Sequence, residues 1–147
     1  MATKLNTFLW FNGVLDEALE FYRETFGDVE VRETNVGPNG KLFTATFSIF
    51  DYEFIAMNWP GGPEFNESIS LSLSVDNQSE VDRIWSALTL DGTEGQCGWC
   101  KDKFGLSWQV TPAGMGEWLA NPDAEIRDYA NSQLRKMTKI ILNDLHK

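Results

Sequence analysis

The two cysteines, Cys97 and Cys100, form one C-x-x-C inside Gly95-Gln96-Cys97-Gly98-Trp99-Cys100-Lys101. Redox pairs of this spacing usually sit where a strand feeds a helix, whose N-terminus stabilises the thiolate. Here the residues read as a strand entering a turn, which favours a structural role. Cys97 is the one candidate nucleophile, with Lys101 or Lys103 placed to lower its pKa. A zinc site needs two further ligands, and the single histidine, His146, lies at the C-terminal end. Without a histidine in the body of the chain, no Ser or Cys has the base that a triad requires. Glu94 and Lys101 read either as an acid–base pair across a hairpin or as a cross-strand ion pair. Asp51 and Glu53 fall at a tight turn and read as solvated. No residue is assigned a catalytic role.

The elements that position these groups follow from periodicity. Leu5 to Phe11 reads as a strand, and Asn12-Gly13 turns the chain. Leu15, Ala18, Leu19, Tyr22 and Phe26 recur at helical spacing until Gly27. Val29 to Val36, Leu42 to Phe50 and Phe54 to Trp59 read as strands, separated by Gly37-Pro38-Asn39-Gly40 and by Asp51. After Pro60-Gly61-Gly62-Pro63 the order begins again. Ile69 to Val75 alternates strictly, and Asp76-Asn77-Gln78-Ser79 caps a helix carrying Val81, Ile84, Trp85 and Leu88. Gln96 to Lys101 and Leu106 to Thr111 form a hairpin around Asp102-Lys103-Phe104-Gly105.

The class is thus α+β, with tandem modules over 1–60 and 67–112. The second is shortened, because Thr93-Glu94-Gly95 leaves almost no room for a further strand. A helical tail, 113–147, carries Ile126, Tyr129, Leu134, Met137, Ile140, Ile141 and Leu145, which need an open sheet face or a second subunit to cover.

A chain of 147 residues with 42% apolar and 23% charged residues fits a single globular domain. Twelve Lys and Arg against 22 Asp and Glu give a net charge of −10, which repels phosphate backbones and anionic headgroups. Neither nucleic acid nor membrane is expected as a partner. No apolar run reaches the ~20 residues of a membrane span, and Met1-Ala2-Thr3-Lys4-Leu5 does not read as a leader, so a cytoplasmic location is expected.

Three stretches carry a resemblance. Phe8-Leu9-Trp10-Phe11-Asn12-Gly13 leads into Glu17-Ala18-Leu19-Glu20-Phe21-Tyr22. Glu53-Phe54-Ile55-Ala56-Met57-Asn58 follows, and then Glu94-Gly95-Gln96-Cys97-Gly98-Trp99 with Lys101-Asp102-Lys103-Phe104-Gly105-Leu106-Ser107-Trp108-Gln109. Together they resemble the PhnB-like branch of the glyoxalase and bleomycin resistance (vicinal oxygen chelate) superfamily, often labelled demethylubiquinone methyltransferase-like. The resemblance extends over the chain, including Lys136-Met137-Thr138-Lys139-Ile140. It implies a half-barrel of tandem βαβββ modules, a homodimer and a concave sheet cavity.

In metal-using members of the superfamily, four sheet positions supply His and Glu ligands. On the flanking residues these positions fall at Asn6, near Phe54, near Ser70 and at Gln109. Asn, Phe, Ser and Gln do not make a first-row metal site, so no metal and no other cofactor is expected. Nor is there a glycine-rich loop between strand and helix to hold a nucleotide-like methyl donor.

Strand alternation puts Asn6, Phe8 and Trp10 on one side, Phe54, Ala56 and Asn58 on one side, and Ser70, Ser72 and Ser74 on another. Ser107, Gln109 and Thr111 also share a face. If these faces line the cavity, Phe8, Trp10, Asn58, Gln96, Trp99, Trp108 and Gln109 are the candidate ligand contacts. Aromatic walls with a few amides suit a small apolar or aromatic molecule. The same tryptophans read more readily as core or dimer interface than as ligand contacts, whereas inner-face amides need a partner. The expectation is a metal-free binding protein; the alternatives are an enzyme of unknown specificity (a lyase, isomerase, dioxygenase or the methyltransferase of the label) and a dimer with a vestigial cavity.

Overall fold

In the computed structural model, residues 2–147 are described, in two compact units, Met1–Glu64 and Phe65–Lys147. The first unit runs β1 (Thr7–Phe11), α1 (Leu15–Phe26), β2 (Val29–Val36), β3 (Leu42–Ile49) and β4 (Tyr52–Asn58). Its sheet has the order β1-β4-β3-β2, with β1 and β4 parallel and the other pairs antiparallel. The β3–β4 turn is held by Phe50 and Asp51 at φ 48° and 66°, the left-handed pair that tight hairpins need.

Alternation gives this sheet two unlike faces. Leu9, Phe11, Ala45, Phe47, Phe54 and Ala56 are buried, as are Leu15, Ala18, Leu19, Tyr22 and Phe26 of α1. These two apolar surfaces cover each other, each large side chain contributing roughly 1.5–3 kcal/mol. Asn58 belongs to this helix-side face and not to a ligand face. Its Oδ1 accepts from Leu15 N at 3.4 Å and its Nδ2 donates to Leu42 O at 3.2 Å, tying the starts of α1 and β3 to the end of β4.

The second unit repeats the order as β5 (Leu71–Val75), α2 (Gln78–Thr89), β6 (Thr93–Glu94), β7 (Trp99–Lys101) and β8 (Ser107–Pro112). Its sheet is β5-β8-β7-β6. The strand for which the sequence left almost no room is therefore present, reduced to the two residues of β6. Asn77 caps α2 by accepting from Glu80 N at 2.9 Å. Val81, Ile84, Trp85 and Leu88 of that helix are buried together with Cys100, Trp108 and Val110 of the sheet.

The tail groups with the second unit and forms α3 (Gly116–Leu119), α4 (Ala124–Leu134) and a 3-10 turn (Leu142–Leu145). Ala130, Met137, Ile140 and Leu145 make its own small core. The segment after α4 is seated on the C-x-x-C turn and on α2, within its own unit. Cys97 N donates to Met137 O at 2.8 Å and Gly98 N to Thr138 O at 2.7 Å. Gln78 clamps the far side, donating to Ile140 O and accepting from Leu142 N, both at 2.8 Å.

Gly98 is the pivot of this docking. At φ +84° a Cβ would lie 2.7 Å from Ile140 Cδ1 and 3.0 Å from Val110 O. Gly98→Ala is expected to destabilise the protein by about 1–3 kcal/mol, from backbone strain and displacement of Ile140. Urea unfolding measures this, and a cost below ~0.5 kcal/mol would mean the tail yields freely.

Candidate functional site

Helix α2 covers one face of the second sheet; Ser72, Gln109, Trp99, Lys101 and Ser107 project from the other. The register fixes this: Ser72 stands opposite Gln109, Gln109 opposite Trp99, and Ser107 opposite Lys101. Gln109 Nε2 donates to Ser70 Oγ at 2.9 Å, and Thr111 Oγ1 donates to Leu73 O at 2.9 Å. The amide expected to need a partner has found one within its own sheet.

Over the β6–β7 end lies a cavity of about 540 Å³, lined by residues that include Glu67, Glu94, Gln96, Cys97, Trp99, Lys101 and Ser107. Its back wall, Gly95 to Cys97, is held by Gly95 N donating to Trp99 O at 2.8 Å and by the tail at Cys97. Cys97 Sγ donates to Leu134 O at 3.4 Å. Lys101 pairs with Glu67 at 2.8 Å, and Glu94 Oε1 accepts from Trp85 Nε1 at 2.9 Å. Glu94 and Lys101 are thus engaged elsewhere and form neither the acid–base pair nor the cross-strand ion pair that their positions suggested. Hydrogen bonding from Lys101 is the first cause holding the Glu67 carboxyl below its usual range.

The seven candidate ligand contacts sort by face and unit. Gln96 and Trp99 line the cavity, and Gln109 shares the open face beside it. Trp108 does not: it is buried on the α2 side, and its Nε1 donates to Asp102 Oδ2 at 2.9 Å. Phe8 and Trp10 lie on the open face of the first sheet with Ile55 and Met57. Phe8 is exposed. Trp10 is half-buried and held by its own loop, where Nε1 donates to Trp59 O at 2.7 Å and Gly62 lies against the ring. Asn58, the seventh, serves the helix-covered face of the first sheet. Reading the sequence missed Glu67 as a lining residue; Ser107 was placed beside Gln109 on a face expected to line the cavity, but not among the ligand contacts.

Both cysteines are free thiols. Burial first, and then the carboxylates of Asp102 and Glu94, push the Cys100 thiol up to about 12. A thiol raised on folding contributes stability that is complete below its unfolded pKa of ~8.5 and is lost as pH climbs above that value. At pH 8.5 iodoacetamide is expected to label Cys97 at least tenfold faster than Cys100 in the native protein, with Cys100 reacting once urea is added. Peptide mapping reads the ratio; equal labelling would contradict the buried placement of Cys100.

The superfamily's metal positions can be tested against these side chains. Asn6 donates to Glu53 Oε2 at 3.4 Å, Ser70 is bonded to Gln109, and Phe54 is stacked on Phe47 at 5.1 Å on the helix side. The open-face neighbour of Phe54 is Glu53, whose oxygens are taken by Lys4 and Arg32. Hydrogen bonds from Lys4 and then Asn6 lower its pKa. Among the described residues no three His, Cys, Asp or Glu gather as a metal site. The donor set does not fit a divalent ion.

A family profile described as 3-demethylubiquinone-9 3-methyltransferase matches residues 3–111. It stops before the tail, so the likeness of the Lys136 to Ile140 segment has no counterpart there. Among solved structures, a PhnB protein from Bacillus cereus, described as a 3-demethylubiquinone-9 3-methyltransferase, is 28% identical with a TM-score of 0.70. It covers 76% of this chain and 100% of its own. FosX, a fosfomycin resistance protein of Listeria monocytogenes solved with Mn(II) and a dihydroxypropylphosphonic acid, is 15% identical at TM-score 0.57, covering 76% and 93%. A glyoxylase/bleomycin resistance protein/dioxygenase domain from Frankia is 17% identical at TM-score 0.50, covering 75% and 96%. The last two share the fold. No curated protein matches.

Proposed function

Since the chain belongs to the 3-demethylubiquinone-9 3-methyltransferase family, in the PhnB-like branch of the glyoxalase and bleomycin resistance superfamily, we propose that it binds a small aromatic or apolar molecule without a resident metal. The observation that carries this reading is the 540 Å³ cavity with Trp99 in its wall. That volume suits a one- or two-ring compound, within the range of about 300–1,000 Å³ usual for ligand sites. Trp99 supplies a stacking surface and Gln96 an amide. The engaged state of Asn6, Ser70, Gln109 and Glu53 supports the metal-free part.

Homodimer formation and a cytoplasmic location belong to the same reading. Exposed Leu5, Phe8 and Trp59 of the first unit are apolar surface that a second copy would cover. Two free thiols suit a reducing compartment. No helix among the described residues is long and apolar enough to cross a membrane.

A second reading, an enzyme acting in the same cavity, rests on the family's description as a methyltransferase. The chain offers a methyl donor no glycine-rich loop between strand and helix, and Glu94 and Lys101 are already paired. Binding is therefore the better-supported function. Equilibrium dialysis of chelator-treated protein against naphthol tests it: saturable binding without metal is expected, and binding only after a divalent ion is restored would reverse the reading.

A further inference from the structure

Gln78, the first residue of α2, does not line the cavity, yet it fastens the segment that braces the cavity wall. Its Nε2 donates to Ile140 O at 2.8 Å and to Asp82 Oδ1 at 3.0 Å, and its Oε1 accepts from Leu142 N at 2.8 Å. Ile140 itself is fully buried. A few residues back along the tail, Met137 O and Thr138 O accept from Cys97 N and Gly98 N at 2.8 and 2.7 Å. Leu134 O accepts from Cys97 Sγ at 3.4 Å. The turn held in this way is strained. Cys97 and Gly98 stand at φ 59° and 84°, two successive left-handed residues of which the first is not a glycine. Such a pair persists only where its surroundings fix it. Gln96 and Trp99, on either side of the pair, form part of the cavity wall.

We infer that Gln78 is a positioning residue for the cavity, acting through the tail: docking of residues 134–142 and occupation of the cavity strengthen each other. The inference rests on the binding function proposed above and adds how its site is held in shape. With the tail seated, the Cys97 and Gly98 amides are satisfied, and Gln96 and Trp99 are fixed for a ligand. With the tail lifted, the two amides meet water, the left-handed pair relaxes, and the wall that carries Trp99 loses its geometry. A ligand that binds the docked form better raises the docked fraction by the same factor. The partly exposed Lys139–Asp82 pair, at 2.8 Å, adds little to the docking because water screens it. The clamp is Gln78.

Gln78→Met keeps the length and helix preference of the side chain and removes both of its bonds to the tail. In the folded variant, naphthol is expected to bind about fivefold to tenfold more weakly, because fewer molecules hold the tail docked. Trp108→Phe, which loosens the α2 side of the sheet but not the tail, is the control for general destabilisation and should keep its affinity within about twofold. In wild-type protein, saturating naphthol should slow amide exchange at Cys97 and Gly98 by at least the same factor and then level off, since the undocked form still binds weakly. That second readout stands even if Gln78→Met does not fold. Wild-type affinity in a folded Gln78→Met protein, an equal loss in both variants, or exchange at Cys97 and Gly98 that bound naphthol leaves unchanged would overturn the coupling while leaving the binding function intact. Naphthol that fails to bind wild type would overturn both.

Discussion

Trp99→Ala is expected to weaken naphthol binding by about tenfold to a hundredfold, which corresponds to roughly 1.4–2.8 kcal/mol. Trp99 is half-buried in the cavity wall, on strand β7, on the face that carries Gln109 and away from α2. Large aromatic walls dominate small-molecule sites because they remove apolar area from water while losing few rotamers. The control is Trp108→Phe. Trp108 lies one strand away but on the α2 side, bonded to Asp102. That change should cost stability and leave ligand affinity within about twofold. If Trp108→Phe abolishes binding in a folded protein while Trp99→Ala does not, the assignment of faces is wrong.

The second large effect concerns a residue that no ligand touches. Asp102 is 3% exposed at the β7–β8 turn. Its Oδ1 accepts from Phe104 N at 2.9 Å and Leu106 N at 3.1 Å, while Oδ2 accepts from Trp108 Nε1 at 2.9 Å. Asp102→Ala leaves three donors without that acceptor, each orphan costing about 1–3 kcal/mol. A loss of roughly 3–5 kcal/mol is expected, a large share of the ~5–15 kcal/mol that holds a domain folded. Asp102→Asn should cost less, because its oxygen can still serve the two backbone amides while its NH2 faces the indole donor. Urea unfolding of the pair checks both the size and the order; a cost below ~1 kcal/mol for the alanine variant would mean that water or another acceptor replaces the carboxylate.

Asp102 also marks where sequence reading succeeds and stops. The tight turn from Asp102 to Gly105 was legible from residue type, and the strict alternation from Ile69 to Val75 revealed a strand with one polar face. Alternation separates two faces but does not say which one a helix covers. For Ser70 and Gln109 the polar side was the open side. For Asn58 it was not, because that amide works inside the helix-covered face, satisfying Leu15 N and Leu42 O. Trp108 misled for a similar reason, since its donor is met by a carboxylate six positions earlier and not by a ligand.

Short elements and distant contacts were the other limits. Strand β6 has two residues, too few to show any period. The tail's apolar spacing was visible, but its seat was not. The bonds that fix it join Gln78 to Ile140 and Leu142, 62 and 64 positions apart, and Cys97 to Leu134, 37 apart. Nothing local encodes such pairings. The cavity is of the same kind, bringing Glu67 from the start of the unit beside Lys101 and Ser107. The reading of the metal positions, in contrast, rests on side-chain chemistry alone, because no change of register supplies a histidine.

The most direct test of metal-free binding is a native mass spectrum of chelator-treated protein mixed with naphthol, paired with metal analysis of the same sample. The expected result is a retained naphthol adduct at one equivalent per chain, absent in Trp99→Ala, with no stoichiometric metal. A tightly held divalent ion, or an adduct that forms only when such an ion is added back, would contradict it and place the chain with the metal-dependent enzymes of its superfamily.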